Sequence, residues 1–132
     1  MNRKEILKQM AIVIFFVFSL NLIAHKLYWY TSIWYFDMPM HFLGGFFIGL
    51  LGMYLLPYFS SPLLRGRLGG GLSIFLFVLT IGIGWEIFEI IFNNIIAGQY
   101  FNTLDTISDI CFDLSGGLSA YFFILKKSEN SI

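Results

Sequence analysis

Long hydrophobic runs dominate the chain, and these runs have no continuous polar face. A helix needs about 20 mostly apolar residues to cross a hydrocarbon core of roughly 30 Å. Four stretches meet that requirement, and they are separated by segments that contain charges, glycines or prolines. The pattern therefore predicts an all-α integral membrane protein, a single domain whose transmembrane helices cover about residues 10–28, 39–59, 72–96 and 104–125.

The connections and the basic residues predict how these helices are oriented. Short connections force neighbouring spans to be antiparallel, and residues 60–71, rich in serine and glycine, are predicted to form a loop. Lys and Arg accumulate on the cytoplasmic side of membrane proteins. Seven of the eight bases fall on one side of the predicted bundle, whereas only Lys26 falls on the other. We therefore expect both termini in the cytoplasm, in the inner (cell) membrane.

Composition narrows the class of protein further. The 132 residues are 58% hydrophobic and only 12% charged, against about 25% charged in soluble domains. This excludes a soluble enzyme and a disordered chain, and the single Cys111 excludes a disulfide scaffold. The net charge of zero gives no reason to expect a nucleic-acid partner. Membrane lipids are the predicted surroundings, and no pattern indicates an oligomeric state.

Small residues recur four positions apart, a spacing that lets helix backbones approach closely in lipid. We expect packing roles for Gly45 with Gly49, and for Gly116 with Ala120.

Acidic residues within or beside the spans are the main chemical signal. Burying one carboxylate at the middle of a membrane costs about 2.5–3.5 kcal/mol on insertion scales. Protonation, water or a bound cation must compensate for several such groups. Outside the two terminal tails the acids are Asp37, Glu86, Glu89, Asp105, Asp109 and Asp113.

Helical spacing predicts that most of these acids converge. Positions 105, 109 and 113 form one stripe on the fourth helix, positions 86 and 89 share a face of the third, and His41 lies one turn after Asp37. A rise of about 1.5 Å per residue places them all in the outer half of the membrane. We expect one cavity, open to the outer leaflet or the outer solution, that contains His41, Glu86, Glu89, Asp109 and Asp113.

Two further acids have competing interpretations. Asp37 precedes Met38 and Pro39, and proline favours the first turn of a helix, so Asp37 is either a helix-start residue or a member of the site. Asp105 is either an N-terminal cap or a member of the site.

Carboxylates that converge with an imidazole suit a divalent metal such as Mg²⁺, Mn²⁺ or Zn²⁺. Since no Lys or Arg lies within the spans that hold the acids, a bound metal is needed to bridge these acids to a lipid-linked phosphate or other amphiphilic substrate. The same residues also suit a cation or proton pathway. A third interpretation is a non-catalytic membrane factor that binds a lipid or a partner. Whether the protein is an enzyme stays open.

Three motifs in order carry a family resemblance over about residues 34–120. They are Trp34-Tyr35-Phe36-Asp37-x-x-x-His41-Phe42-x-Gly44, then Glu86-x-x-Glu89, then Asp105-Thr106-x-x-Asp109 with Gly116. Together they resemble the YjdF-type inner-membrane proteins and, more loosely, the VanZ-like group associated with glycopeptide resistance. The resemblance implies a small multi-pass membrane protein whose site includes Asp37, His41, Glu86, Glu89, Asp105 and Asp109.

Overall fold

Helices make up all the regular structure that the computed structural model describes, which covers residues 3–59, 67–92, 95 and 102–129. The helices are α1 (Arg3–Lys26), α2 (Trp29–Ser32), α3 (Asp37–Phe59), α4 (Arg67–Phe92) and α5 (Thr103–Glu129). All except α2 are long and apolar enough to cross a membrane, over Arg3–Lys26, Asp37–Leu56, Gly69–Phe92 and Thr103–Ser128. The prediction of four apolar helices is confirmed. The antiparallel order and the cytoplasmic termini stay predictions.

The predicted loop over residues 60–71 is too long at its C-terminal end, because α4 already begins at Arg67. That part of the prediction is wrong. Glycines 70 and 71 lie within the helix and face the ring of Tyr121 on α5. A Cβ atom built on either glycine would lie 3.4 Å or 3.3 Å from that side chain. These glycines therefore admit a close aromatic contact instead of breaking the helix. Residues 60–66 of the expected loop, and residues 93, 94 and 96 of the expected third span, lie outside the described residues.

Helices α3 and α5 form the tightest contact in the described structure, which we call the α3–α5 seam. A Cβ atom on Gly45 would collide with the backbone carbonyl of Asp113, and one on Gly116 would collide with the carbonyl of Phe42. Gly49 also lies close to Gly117, where a Cβ atom would be 2.8 Å from the carbonyl oxygen and 2.9 Å from Cα. This confirms the packing role expected for the small residues on these two helices.

Two apolar clusters fill the half of the bundle where α1 begins and α3 and α5 end, which we call the basal half. They consist of Ile6, Leu50, Ala120 and Ile124, and of Ile74, Val78 and Tyr121. The hydroxyl groups of Ser73, Thr80, Ser115 and Ser119 each donate to the carbonyl one turn earlier on their own helix. These hydroxyls are thereby satisfied without a partner on another helix.

Candidate functional site

A cavity of about 630 Å³ occupies the other half of the bundle, where α1 ends and α3 begins, which we call the site end. All five helices contribute to its lining. Among the described residues that line it there is no Lys or Arg. Its polar side chains are Asn21, His25, Tyr30, Asp37, His41, Glu89 and Asp113. Of the five residues expected in one cavity, His41, Glu89 and Asp113 therefore line it, whereas the expectation is wrong for Glu86 and Asp109.

His41 is the central residue of the site, since three carboxylates surround its buried imidazole. On one side of the ring, Nε2 lies 3.7 Å from Asp37 Oδ2 and 3.9 Å from Asp109 Oδ2. On the other side, Nδ1 lies 3.4 Å from Asp113 Oδ1. Asp37 reaches the ring because it lies one turn earlier on α3, and the two α5 acids reach it across the α3–α5 seam.

Two groups of side chains share His41 and have the composition of a metal site. One consists of Asp37, His41 and Asp109, and the other of His41, Glu86 and Glu89. In each group, one ligand atom per residue lies within 4.8 Å of the others. Two carboxylates and one imidazole form a donor set that suits Mn²⁺ or Zn²⁺, and the carboxylates alone suit Mg²⁺.

Two buried carboxylate oxygens at this site have no hydrogen-bond partner among the described residues. They are Glu86 Oε1 and Asp109 Oδ1, and their side chains belong to residues that are only 5% and 3% exposed. Thr106 lies beside Glu86, yet this oxygen stays without a partner. An unsatisfied buried polar group costs about 1–3 kcal/mol, and more when it is charged. Both residues belong to the groups of side chains that could hold a metal ion.

Asp113 and Asp105 have different surroundings from the other acids. Asp113 is buried against Nδ1 of His41, opposite the ring atom that faces Asp37 and Asp109. Gly82 of α4 makes room for this side chain, because a Cβ atom there would lie 3.0 Å from Asp113 Oδ2. Asp105 is exposed in the first turn of α5. Neither aspartate belongs to the two groups with close ligand atoms.

The start of α5 shows which residue caps this helix. Asn102 Oδ1 accepts a hydrogen bond from the backbone N–H of Leu104 at 3.2 Å. Asn102 therefore provides the cap, and Asp105 follows as a first-turn acid, a position that the helix dipole favours.

Tyr30 and Asn21 are polar residues of the cavity that the sequence reasoning did not assign to the site. The Tyr30 hydroxyl donates to Asn21 Oδ1 at 2.7 Å, and the ring packs edge-on against the buried Phe36. Burial, together with the nearby carboxylates of Asp37 and Glu89, raises the pKa of Tyr30 above its ordinary value. The phenol therefore stays a hydrogen-bond donor at neutral pH. No spacing rule connects residues 21 and 30, because Tyr28 adopts a left-handed conformation (φ 57°) between them.

A family model described as a predicted membrane protein, DUF2238, matches residues 1–129 of the chain. The match supports the YjdF-type resemblance, but it gives no support to the VanZ-like grouping. No curated protein and no solved structure matches the chain.

Proposed function

The chain belongs to the DUF2238 family of predicted membrane proteins, and from that premise we propose that it binds a divalent metal ion at the site end of its bundle. His41 supplies the imidazole ligand. The carboxylate ligands come from Asp109 with Asp37, or from Glu86 with Glu89. The bound ion presents a positive charge to the phosphate of a lipid-linked substrate or of another amphiphile.

The unpartnered oxygens of Glu86 and Asp109 carry this proposal. In an apolar bundle, a carboxylate that only joins helices would direct both of its oxygens at donors, since an unmade hydrogen bond is costly there. A metal ion held by either group supplies the missing interaction for the buried carboxylate of that group. It also offsets the repulsion among carboxylates that all face the same imidazole.

The two nitrogens of His41 support the same function. Metal-ligating histidines commonly donate their second N–H to a carboxylate, which fixes the tautomer and the orientation of the ring. Asp113 lies beside Nδ1, whereas Nε2 faces Asp37 and Asp109. We assign Asp113 to the orienting role, and Nε2 to the metal.

The distribution of basic residues supports a proposal for the side of the membrane that the metal site faces. Ile6 near the start of α1 packs with Leu50 and Ile124, so the basic residues at the start of α1 and at the end of α5 lie away from His41. The positive-inside rule then places the basal half toward the cytoplasm and the metal site toward the outer surface.

A cation or proton pathway is less well supported than a binding site. A conduit needs polar groups or water across the whole depth of the membrane. The basal half is instead filled by two apolar clusters, and the hydroxyl groups of Ser73 and Ser119 donate to carbonyls of their own helices.

The decisive experiment compares isosteric variants of the acids. Glu86→Gln and Asp109→Asn preserve side-chain shape but remove the anion. The variant in the group that holds the ion should lower the affinity for Mn²⁺ or Zn²⁺ at least tenfold, about 1.4 kcal/mol or more. Asp105→Asn is the matched control, because this exposed acid lies on the same helix outside the two groups. It should bind metal as wild type does.

Metal content and thermal stability are measured on purified protein with and without chelator. If the acids only join helices, the amide variants should be nearly neutral, since hydrogen bonds between membrane helices average about 0.6 kcal/mol. Wild-type protein without bound metal, together with variants as stable as wild type, would contradict the proposal.

A further inference from the structure

The cavity at the site end is a cleft between α1 and α4. Helix α1 packs on α3, and α4 packs on α3 and α5, so the cavity faces of α1 and α4 lie opposite each other with α3 between them. Residues spaced three or four apart form one face of a helix. The faces that line the cleft carry Val17, Asn21 and His25 on α1, and Ile81, Trp85, Phe88 and Phe92 on α4.

The lining of this cleft changes from polar to apolar in the same direction on two helices. The order from the site end inward is His25, Asn21 and Val17 on α1, and Asp37, His41 and Ile48 on α3. On α4, Glu89 is the polar residue of the lining, between Phe92 toward the site end and the apolar Phe88, Trp85 and Ile81 further inward. At about 1.5 Å per residue, the apolar part extends roughly 10 Å beyond His41 to Ile48. A lipid has the same order, with its polar head at the surface and its chain toward the membrane centre.

We infer that this cleft binds the hydrocarbon chain of a single-chain amphiphile that carries a phosphate, with the phosphate at His41 and the chain between Val17 and Ile81. The volume of about 630 Å³ lies within the range of ordinary ligand pockets. Both walls belong to membrane-spanning helices, and Trp85 is 53% exposed beside the cleft. A molecule already in the bilayer therefore reaches the cleft sideways, without leaving the membrane.

The phosphate head group rests on the proposed metal site. The polar lining has three carboxylates and no Lys or Arg among its described residues. These carboxylates repel an anionic head group unless a metal ion lies between the carboxylates and the head group. Divalent metals held by carboxylates commonly complete their coordination with phosphate oxygens. Alkyl phosphates and isoprenyl phosphates share this chemistry, and the experiment below separates them.

Gly44 offers a variant that adds a side chain to the cleft. This glycine lines the cavity, and a Cβ atom built on it would contact nothing within 4 Å. Gly44→Leu therefore places a side chain in the path of the hydrocarbon chain, and leucine is also a better helix former than glycine. Gly84→Leu is the matched control, since a Cβ atom there also meets open space and Gly84 does not line the cavity.

The probes are hexadecyl phosphate and farnesyl phosphate, each with a photoreactive diazirine in the chain, and hexadecanol with the same group. Full-length protein in lipid nanodiscs is loaded with Mn²⁺ or treated with chelator, then illuminated, and the labelled residues are mapped. We expect metal-dependent labelling near Val17 and Ile81 by at least one of the phosphates. Gly44→Leu should reduce it at least about tenfold, the size of effect that small steric changes have in apolar pockets. Gly84→Leu should label as wild type does.

Two results would overturn the inference while leaving metal binding intact. One is labelling spread over outward-facing residues such as Phe15 and Phe18 and unchanged in Gly44→Leu. The other is equal labelling by hexadecanol and both phosphates. Bound metal is measured on the same samples. If Gly44→Leu loses its metal, this variant no longer tests the cleft, and the positions of the labelled residues in the wild-type protein decide. Wild-type protein that binds no metal would overturn the proposed function and the metal-bridged head group together.

Discussion

The α3–α5 seam and the cleft between α1 and α4 differ in how closely their helices approach each other. Along the seam, glycines bring two backbones so close that a single methyl group would collide with a carbonyl. Across the cleft, two helix faces are separated by a cavity, and Gly44 faces open space. The seam holds His41 against Asp109 and Asp113. The close-packed seam therefore fixes two carboxylates beside His41, whereas the cleft leaves open space next to them.

The largest expected effect comes from adding one methyl group to the seam. Gly116→Ala should destabilise the protein by about 3 kcal/mol or more, at the upper end of what overpacking costs, because the new Cβ atom meets a backbone carbonyl that cannot move aside alone. Thermal unfolding in detergent measures the change. Gly84→Ala, where the same methyl group enters open space, should be neutral or slightly stabilising. Equal stability of the two variants would show that the seam is not close-packed.

Metal removal should be the next largest effect. At a free metal concentration of about 100 times the dissociation constant, binding to the folded state alone stabilises by about 2.7 kcal/mol. Chelator should therefore lower the thermal midpoint of the wild-type protein. It should do so less at acidic pH, because protons compete with the metal for His41 and the carboxylates. Differential scanning measurements at several pH values test this, and a midpoint that chelator leaves unchanged at neutral pH would contradict it.

Asp113 should affect metal binding indirectly, because it orients the ring of His41. Asp113→Ala should lower metal affinity about 10–100-fold, the usual effect of removing a group that orients a ligand. Asp113→Asn should recover part of that loss, since its amide oxygen still accepts a hydrogen bond from Nδ1–H. Metal titration of both variants measures the difference. Metal affinity in Asp113→Asn as low as in Asp113→Ala would contradict the orienting role.

The smallest expected effect concerns the outer edge of the cleft. Tyr30→Phe removes the hydrogen bond to Asn21 and should cost about 0.6 kcal/mol, the average for such bonds in membrane proteins. Because the folded state raises the pKa of Tyr30, its contribution is present at neutral pH and is lost as pH rises beyond the ordinary tyrosine value of about 10. The thermal midpoints of wild type and variant should therefore converge at alkaline pH. Tyr35→Phe is the control, since this exposed ring packs on Trp34.

Much of the fold could be predicted because the membrane imposes one simple requirement. Only about 20 consecutive apolar residues cross the hydrocarbon core, so four such runs indicate four helices. The glycines of the seam were also predictable, since four-residue spacing places small residues on one face. The start of α4 could not be predicted, because glycines 70 and 71 are typical of a loop. Only the structure shows that the ring of Tyr121 packs on them within a helix.

The candidate site was predictable as a set of residues, while their roles were not. Carboxylates in apolar segments are costly, so their presence alone predicts a functional site. Spacing places Asp105, Asp109 and Asp113 on one stripe, and it gives no reason to assign different roles to the three residues. In the structure, Asp109 faces Nε2 of His41, Asp113 faces Nδ1, and Asp105 lies exposed one turn away. The position of the seam along α5 decides among them.

The sequence by itself therefore determined the four apolar helices, the acidic stripe and the small residues that let two helices meet. These features depend on local length and spacing, which a chain carries before it folds. Only the tertiary structure decided which nitrogen of His41 faces which carboxylate, that Tyr30 reaches Asn21, and that a cleft separates α1 from α4. Those features depend on the relative height and rotation of helices distant in sequence, and side-chain packing sets both.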